Sequence, residues 1–183
     1  MEDNAKNLVN DCNFASLKPA MVEIPYPPIR VKEKNENYAN ILSSDYCGSV
    51  SEMSAITQYI NNENRMSSEQ CPFAKVILSI AMAEMIHLQK LGQLIHLLGG
   101  KVDFVVKQPG GKQKMWTPAY LTLPDNIKKM IWVSVESEKA AIKQYRIHMN
   151  AIRDEHINAV LSRIIKDEEY HIMILKALLE ESE

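Results

Sequence analysis

The sequence predicts an all-α protein: a four-helix bundle built from two helical hairpins joined by a long crossover, with an extended arm at the N-terminus. Three observations predict it. Apolar residues recur with helical period over four long segments. The connections inside each pair of segments are short, whereas the one between the pairs is about 24 residues. Strand-like alternation is almost absent.

Residues 1–36 form the arm, because KPAMVEIPYPPIRVKEKNE carries four prolines and cannot sustain a helix. The arm is expected to lie on its own domain or on a neighbouring subunit. The bundle occupies residues 37–183. Its first helix is read from Asn37 to about Asn61, ending in the polar NNENRMSS. The second starts after Ser67, with Gln70 positioned as in a capping box and Pro72 in the first turn, and stops at Gly99-Gly100.

The crossover, about residues 100–123, contains the apolar run DFVV, which is read as too isolated to build a sheet. The third helix runs from near Pro124 to about Ala151. The fourth follows a very short break capped by Asp154 and continues almost to the last residue. A helix of about 28 residues is roughly 42 Å long, and 24 extended residues reach nearly twice as far. The crossover can therefore traverse the bundle, and the short turns make each pair an antiparallel hairpin.

Composition excludes several function classes. At 183 residues with 46% apolar and 24% charged residues, the chain fits one soluble domain. A net charge of −2 gives no basis for binding nucleic acid or an anionic membrane. No apolar run is read as approaching the roughly 18–20 residues of a membrane span. The opening MEDNAKNLVNDCNF does not resemble a secretory signal. Cys12, Cys47 and Cys71 contain no C-x-x-C pair, so a reduced, cytoplasmic setting is expected.

The chemistry lies in two interrupted seams. The second helix carries Ile77, Ile80, Glu84, His87, Leu91, Leu94 and Leu98; the fourth carries Leu161, Ile164, Glu168, His171, Leu175 and Leu178. Both are broken at mid-length by Glu-x-x-His, and Glu84 to Glu168 and His87 to His171 are the same 84-residue step. The other two helices repeat a second pattern: Glu52, Ala55 and Tyr59 match Glu138, Ala141 and Tyr145.

Sixteen glutamates in 183 residues place one three positions before a given His about one time in eleven. One such pair is ordinary surface chemistry. Two pairs, in register and each central in an apolar seam, are not. Four carboxylates in one core repel each other and lose hydration, so something positive must sit between them. Two divalent cations would balance their charge, each imidazole adding one nitrogen ligand. Glu-x-x-His suits this because residues three apart share a helix face.

This pattern resembles the ferritin-like di-iron and di-manganese carboxylate superfamily over about 145 residues. In particular the chain is similar to stand-alone bacterial ferritin-like proteins related to rubrerythrin, bacterioferritin and manganese catalase. The resemblance implies that Glu84 and Glu168 bridge two Fe or two Mn ions. Glu52 with His87, and Glu138 with His171, would then complete their coordination. It also implies that Tyr59 and Tyr145 donate hydrogen bonds to ligand carboxylates, against a plainer reading as core aromatics. Asp45, seven residues before Glu52, is either a further acceptor near the site or part of a wet bundle end.

Departures from the relatives narrow the expectation. Rubrerythrin carries an additional Glu three residues after the lone Glu of the third helix, where this chain has Ala141. The four-cysteine rubredoxin segment is not in this sequence, so peroxide reduction would draw on an external electron donor. Twelve residues follow His171, short for the fifth helix of a large cage, so a homodimer or small homo-oligomer is expected. Haem is not expected on Met85, nor are His96, His148 and His156 expected as ligands. The activity implied is redox chemistry on hydrogen peroxide or dioxygen; the alternative is ferroxidase and iron storage or delivery. Trp116 and Tyr120 are read either as a cap on the bundle or as ordinary loop packing.

Overall fold

The computed structural model describes residues 14, 16–67, 70–107 and 109–181. Five helices make the four rods of a bundle: α1 (Glu36–Cys47), α2 (Glu52–Met66), α3 (Cys71–Leu97), α4 (Ile127–Ala151) and α5 (Glu155–Glu181). The predicted first helix is thus two helices, divided at residues 48–51 and extended beyond Asn61 to Met66. The break follows from local polar chemistry. Gly48 ends α1, and a Cβ there would stand 2.5 Å from the Ser44 carbonyl oxygen. The hydroxyls of Ser51 and Ser54 donate to the Gly48 carbonyl at 2.8 and 3.0 Å. Ser51 also accepts from Ser54 N as the N-cap of α2. Glu52 is consequently the first residue of α2, where a helix N-terminus favours a carboxylate.

The start of α3 also differs from expectation. Gln70 is its N-cap, without a side-chain capping bond, so the Ser67–Gln70 capping box does not form, while Pro72 does sit in the first turn. Gly99, at φ +84°, turns the chain out of α3 in a backbone conformation that favours glycine. α4 begins at Ile127 with Asn126 as its cap. Asp154 caps α5, accepting from His156 N at 2.9 Å.

The crossover contains a short antiparallel hairpin, β1 (Val105–Lys107) with β2 (Gln113–Met115), contrary to the reading of DFVV as unpaired. Its partner is the exposed, polar QKM, which carries no strand pattern of its own; Gly110 and Gly111, both at positive φ, make the connection. Trp116 then donates from Nε1 to Ser54 Oγ at 3.0 Å, and Thr122 N donates to Gln58 Oε1 at 2.9 Å. The crossover is thereby fastened along α2.

α2 packs on α3 and α4 on α5, the two hairpins. Two apolar clusters fill the bundle. One is built around Leu42, Leu91, Leu94, Leu161 and Ile164, the other around Ile77, Ile80, Ile131, Leu175 and Met66. The interrupted seams lie between them. By length and composition alone α3 could cross a membrane, contrary to the sequence reading. Its Glu84 and His87 are nonetheless buried against polar side chains of the other helices, the arrangement of a bundle core. The arm runs along its own bundle: Ala20 N donates to Ser79 O at 2.9 Å and Lys32 N to Asp154 Oδ2 at 2.7 Å. Cys47 is buried with a free thiol, Cys71 is disulfide-bonded, contrary to the reading of the cysteines as reduced, and Cys12 lies outside the described residues.

Candidate metal centre

The helical repeat places Glu52 on α2, Glu84 and His87 on α3, Glu138 on α4, and Glu168 and His171 on α5, all buried. They form two overlapping groups: Glu52, Glu84, His87 and Glu168; and Glu84, Glu138, Glu168 and His171. Within each group one donor atom per residue lies within 4.8 Å of all the others. Glu84 and Glu168 belong to both.

The geometry is close to two-fold. His87 Nδ1 lies 2.8 Å from Glu84 Oε2, 3.3 Å from Glu168 Oε1 and 3.7 Å from Glu52 Oε2. His171 Nδ1 lies 3.1 Å from Glu84 Oε1, 2.9 Å from Glu168 Oε2 and 3.6 Å from Glu138 Oε1. Each imidazole thus meets one oxygen of each shared carboxylate and one terminal carboxylate. Glu84 Oε1, Glu168 Oε2 and His171 Nδ1 are buried without a hydrogen-bond partner despite this proximity. All three belong to the second group, whose donor atoms stand within 4.8 Å of one another. Fully buried polar atoms rarely stay unsatisfied, and a cation between them would satisfy all three. The donor set, carboxylate oxygen with one imidazole nitrogen per group, suits iron or manganese.

Electrostatics among these side chains shows the same demand. Burial, and then Glu84 and Glu168, push the Glu138 carboxyl up to about 8. The same causes hold Glu52 well above the ordinary carboxylate range. Burial opposes the charge on Glu84, but His171 and His87 outweigh it and hold Glu84 well below that range. Both imidazoles are raised well above 6.5: burial resists their protonation, and the surrounding carboxylates overcome it. The cluster retains its acids only by borrowing protons.

Tyr59 and Tyr145 cross between hairpins. The Tyr59 hydroxyl of α2 donates to Glu138 Oε1 of α4, and the Tyr145 hydroxyl of α4 donates to Glu52 Oε1 of α2. Burial and the nearby glutamates hold both phenols neutral, well above 10, which keeps them donors. Asp45 does not touch the cluster. It is buried near it, accepting from Gln144 Nε2 at 2.7 Å and pairing with His148 Nδ1 at 2.8 Å. His148, not expected as a ligand, is thus held by Asp45 and not by the cluster. Met85 and His96 lie exposed on α3.

The cluster has one open side and one closed side. A cleft of about 380 Å³ reaches Glu52, Glu138, Tyr59 and Tyr145 between α2 and α4, with Ala55 and Ala141 on its walls and Tyr120 of the crossover at its edge. Neither His87 nor His171 lines it. Behind the imidazoles, Asp167 Oδ2 accepts from His87 Nε2 at 3.1 Å and the Ala20 carbonyl from His171 Nε2 at 2.8 Å. The sequence reading missed Ala20, Tyr26, Arg163 and Asp167. Asp167 and Arg163, four apart on α5, were legible as an i,i+4 ion pair, though nothing in that spacing tied them to a histidine 80 residues away.

A protein-family model described as rubrerythrin matches residues 48–179. A probable manganese catalase of Clostridium acetobutylicum is 20% identical over 171 residues, covering 82% of this chain and 74% of that protein. Among solved structures, a manganese catalase from Anabaena aligns with a TM-score of 0.78 at 20% identity, covering 87% of this chain and 78% of that one. Mycobacterium tuberculosis bacterioferritin aligns with a TM-score of 0.64 at 17% identity, covering 81% and 87%. At these identities the likeness shows the fold, a ferritin-like four-helix bundle.

Proposed function

The chain belongs to the rubrerythrin family, and from that premise we propose that it is a dinuclear iron or manganese protein acting on hydrogen peroxide or dioxygen. One observation carries this reading: two buried carboxylate–imidazole groups share Glu84 and Glu168 and leave three of their polar atoms without partners. Glu52 with His87 would hold one ion, Glu138 with His171 the other, and Glu84 and Glu168 would bridge. Four carboxylates then balance two divalent cations without borrowed protons. The bound pair would supply one-electron steps at each ion, with two electrons available to a small oxidant.

The residues around the site have separable roles. Tyr59 and Tyr145 orient the two terminal carboxylates and offer each a proton-bearing hydroxyl. The cleft between α2 and α4 admits a small oxidant to the side opposite the histidines. Its Ala55 and Ala141 walls keep that approach open, and Ala141 replaces the extra glutamate of rubrerythrin. That replacement favours disproportionation of peroxide, the activity named for the manganese catalase relatives, over a donor-driven peroxidase. Disproportionation takes both electrons from a second peroxide molecule.

Elemental analysis of natively expressed protein, with hydrogen peroxide turnover measured on the same sample, tests the proposal. Two Fe or Mn per chain with oxygen evolution is the expected result; protein purified and reconstituted with no bound transition metal refutes it. The second reading, ferroxidase and iron storage, is favoured by the likeness to bacterioferritin. Light scattering separates the two, a dimer or small oligomer supporting the enzyme and a cage of twelve or more supporting storage.

A further inference from the structure

The two hairpins repeat each other at the cluster but not behind it. On α5 the residue before the shared Glu168 is Asp167, and it accepts from His87 Nε2. The equivalent residue before Glu84 on α3 is Ala83, which has nothing to offer His171. The place is taken from outside the repeat, by the backbone carbonyl of Ala20 at 2.8 Å. Ala20 is itself buried, and its amide is fixed to Ser79 of α3.

The same stretch also holds Asp167. Val22 N donates to Asp167 Oδ1 at 2.9 Å, and the Tyr26 hydroxyl to Oδ2 at 3.0 Å. Arg163 pairs with Oδ1 at 2.7 Å while its other nitrogens donate to the carbonyls of Ile24 and Val22, and its guanidinium lies 4.5 Å from the centre of the Tyr26 ring. Residues 20–26 of the arm therefore reach both imidazoles, His171 directly through the Ala20 carbonyl and His87 through Asp167.

We propose that arm residues 20–26 are a working part of the metal centre, a brace that positions both imidazoles from behind and makes the two metal sites unequal. A neutral imidazole binds a cation through one nitrogen only when the other keeps its hydrogen. Acceptors at both Nε2 atoms fix that hydrogen there and leave Nδ1 free to face the carboxylates. The acceptors differ in kind. His87 is backed by a carboxylate that makes it a stronger donor, whereas His171 is backed by a neutral carbonyl. The His87 site is thus the tighter of the two, and the arm governs each site through a different contact.

The inference rests on the dinuclear reading, and Mn(II) binding to the full-length protein tests the two separately. Single-site backgrounds are needed. In His87→Ala protein only the His171 site remains; there Ala20→Pro, which removes the amide seated on Ser79, is expected to weaken Mn(II) binding 10- to 100-fold. Tyr26→Phe is expected to leave it unchanged. In His171→Ala protein the order reverses: Tyr26→Phe weakens binding about tenfold and Ala20→Pro has no effect. Tyr26→Phe removes one hydroxyl, so the test survives if Ala20→Pro fails to fold, which circular dichroism reports. Variants that weaken both sites alike, or neither, overturn the brace while two Mn(II) per wild-type chain would leave the dinuclear reading standing. Wild-type protein that binds no Mn(II) or Fe(II) overturns both.

Discussion

Replacing His171 by alanine removes the one nitrogen donor of its group, leaving Glu84, Glu138 and Glu168, two of which are shared with the other group. The second group keeps all four of its members, so the variant should bind one metal ion instead of two. The magnitude follows from linkage. With free metal at 100 times the dissociation constant, each occupied site stabilises the folded state by about 2.7 kcal/mol. Two sites give about 5.4 kcal/mol, and for a chain of this size each kcal/mol moves Tm by about 2–4 °C. Metal addition should therefore raise the wild-type Tm by roughly 10–20 °C and that of His171→Ala by about half as much. Differential scanning calorimetry at fixed free Mn(II), with metal content measured on the same samples, reads both quantities. Two ions bound to His171→Ala, or an undiminished Tm rise, would refute the assignment of His171 as a ligand.

Glu168→Ala should behave differently from His171→Ala, because Glu168 belongs to both groups: both ions should weaken, and equilibrium dialysis showing one site intact would contradict bridging. Tyr59→Phe removes the hydroxyl that holds Glu138, so metal affinity should fall about tenfold, read by competition with a chromophoric chelator. Burial, Glu84 and Glu168 push the Glu138 carboxyl up to about 8, and a divalent cation takes only the carboxylate. Metal uptake at pH 7 should therefore release protons, and affinity should rise with pH, about tenfold per unit for each proton expelled, until Glu138 ceases to contribute above about 8. Calorimetric titration in buffers of different ionisation enthalpy measures that release; uptake without it would contradict the raised acid. Ile164→Ala opens a cavity in the fully buried cluster beside the site and should cost about 2–5 kcal/mol, read from denaturant unfolding.

What the sequence made legible was whatever repeats at helical spacing. Glu84/His87 and Glu168/His171 interrupt apolar seams in register, and a rigid helix brings such residues together without knowledge of the loops. Loop lengths sufficed for the hairpins, because a short turn leaves an antiparallel neighbour as the sole outcome. The failures share a different cause. The break at residues 48–51 depends on serine hydroxyls satisfying the Gly48 carbonyl, a local competition that apolar periodicity does not record. The β1–β2 pairing depends on a turn at Gly110 and Gly111 and on a polar partner strand. The contact of Ala20 with His171 joins residues 151 apart through a backbone carbonyl, and a backbone atom leaves no mark on residue identity.

The division of the site into an open and a closed side explains why the arm should matter at all. Under the proposed function reactants would use the α2–α4 face, where the tyrosines and terminal carboxylates line a cleft of about 380 Å³. An imidazole exposed to water on the opposite face would find its Nε2 partner among mobile solvent molecules and would hold its ring orientation poorly. α5 solves this for His87 with Asp167, which is fully buried and retains its charge. Burial opposes that charge, but His87, Arg163 and the Val22 amide outweigh it and hold the carboxyl below its ordinary value. α3 has only Ala83 to offer, so closing the second half requires a segment from outside the repeat. A non-helical segment is suited to that task because its carbonyls are not committed to a helix and one can be turned inward at Ala20. The two-fold repeat thus suffices for the faces proposed to hold cations, and the departure from it falls on the face behind the imidazoles.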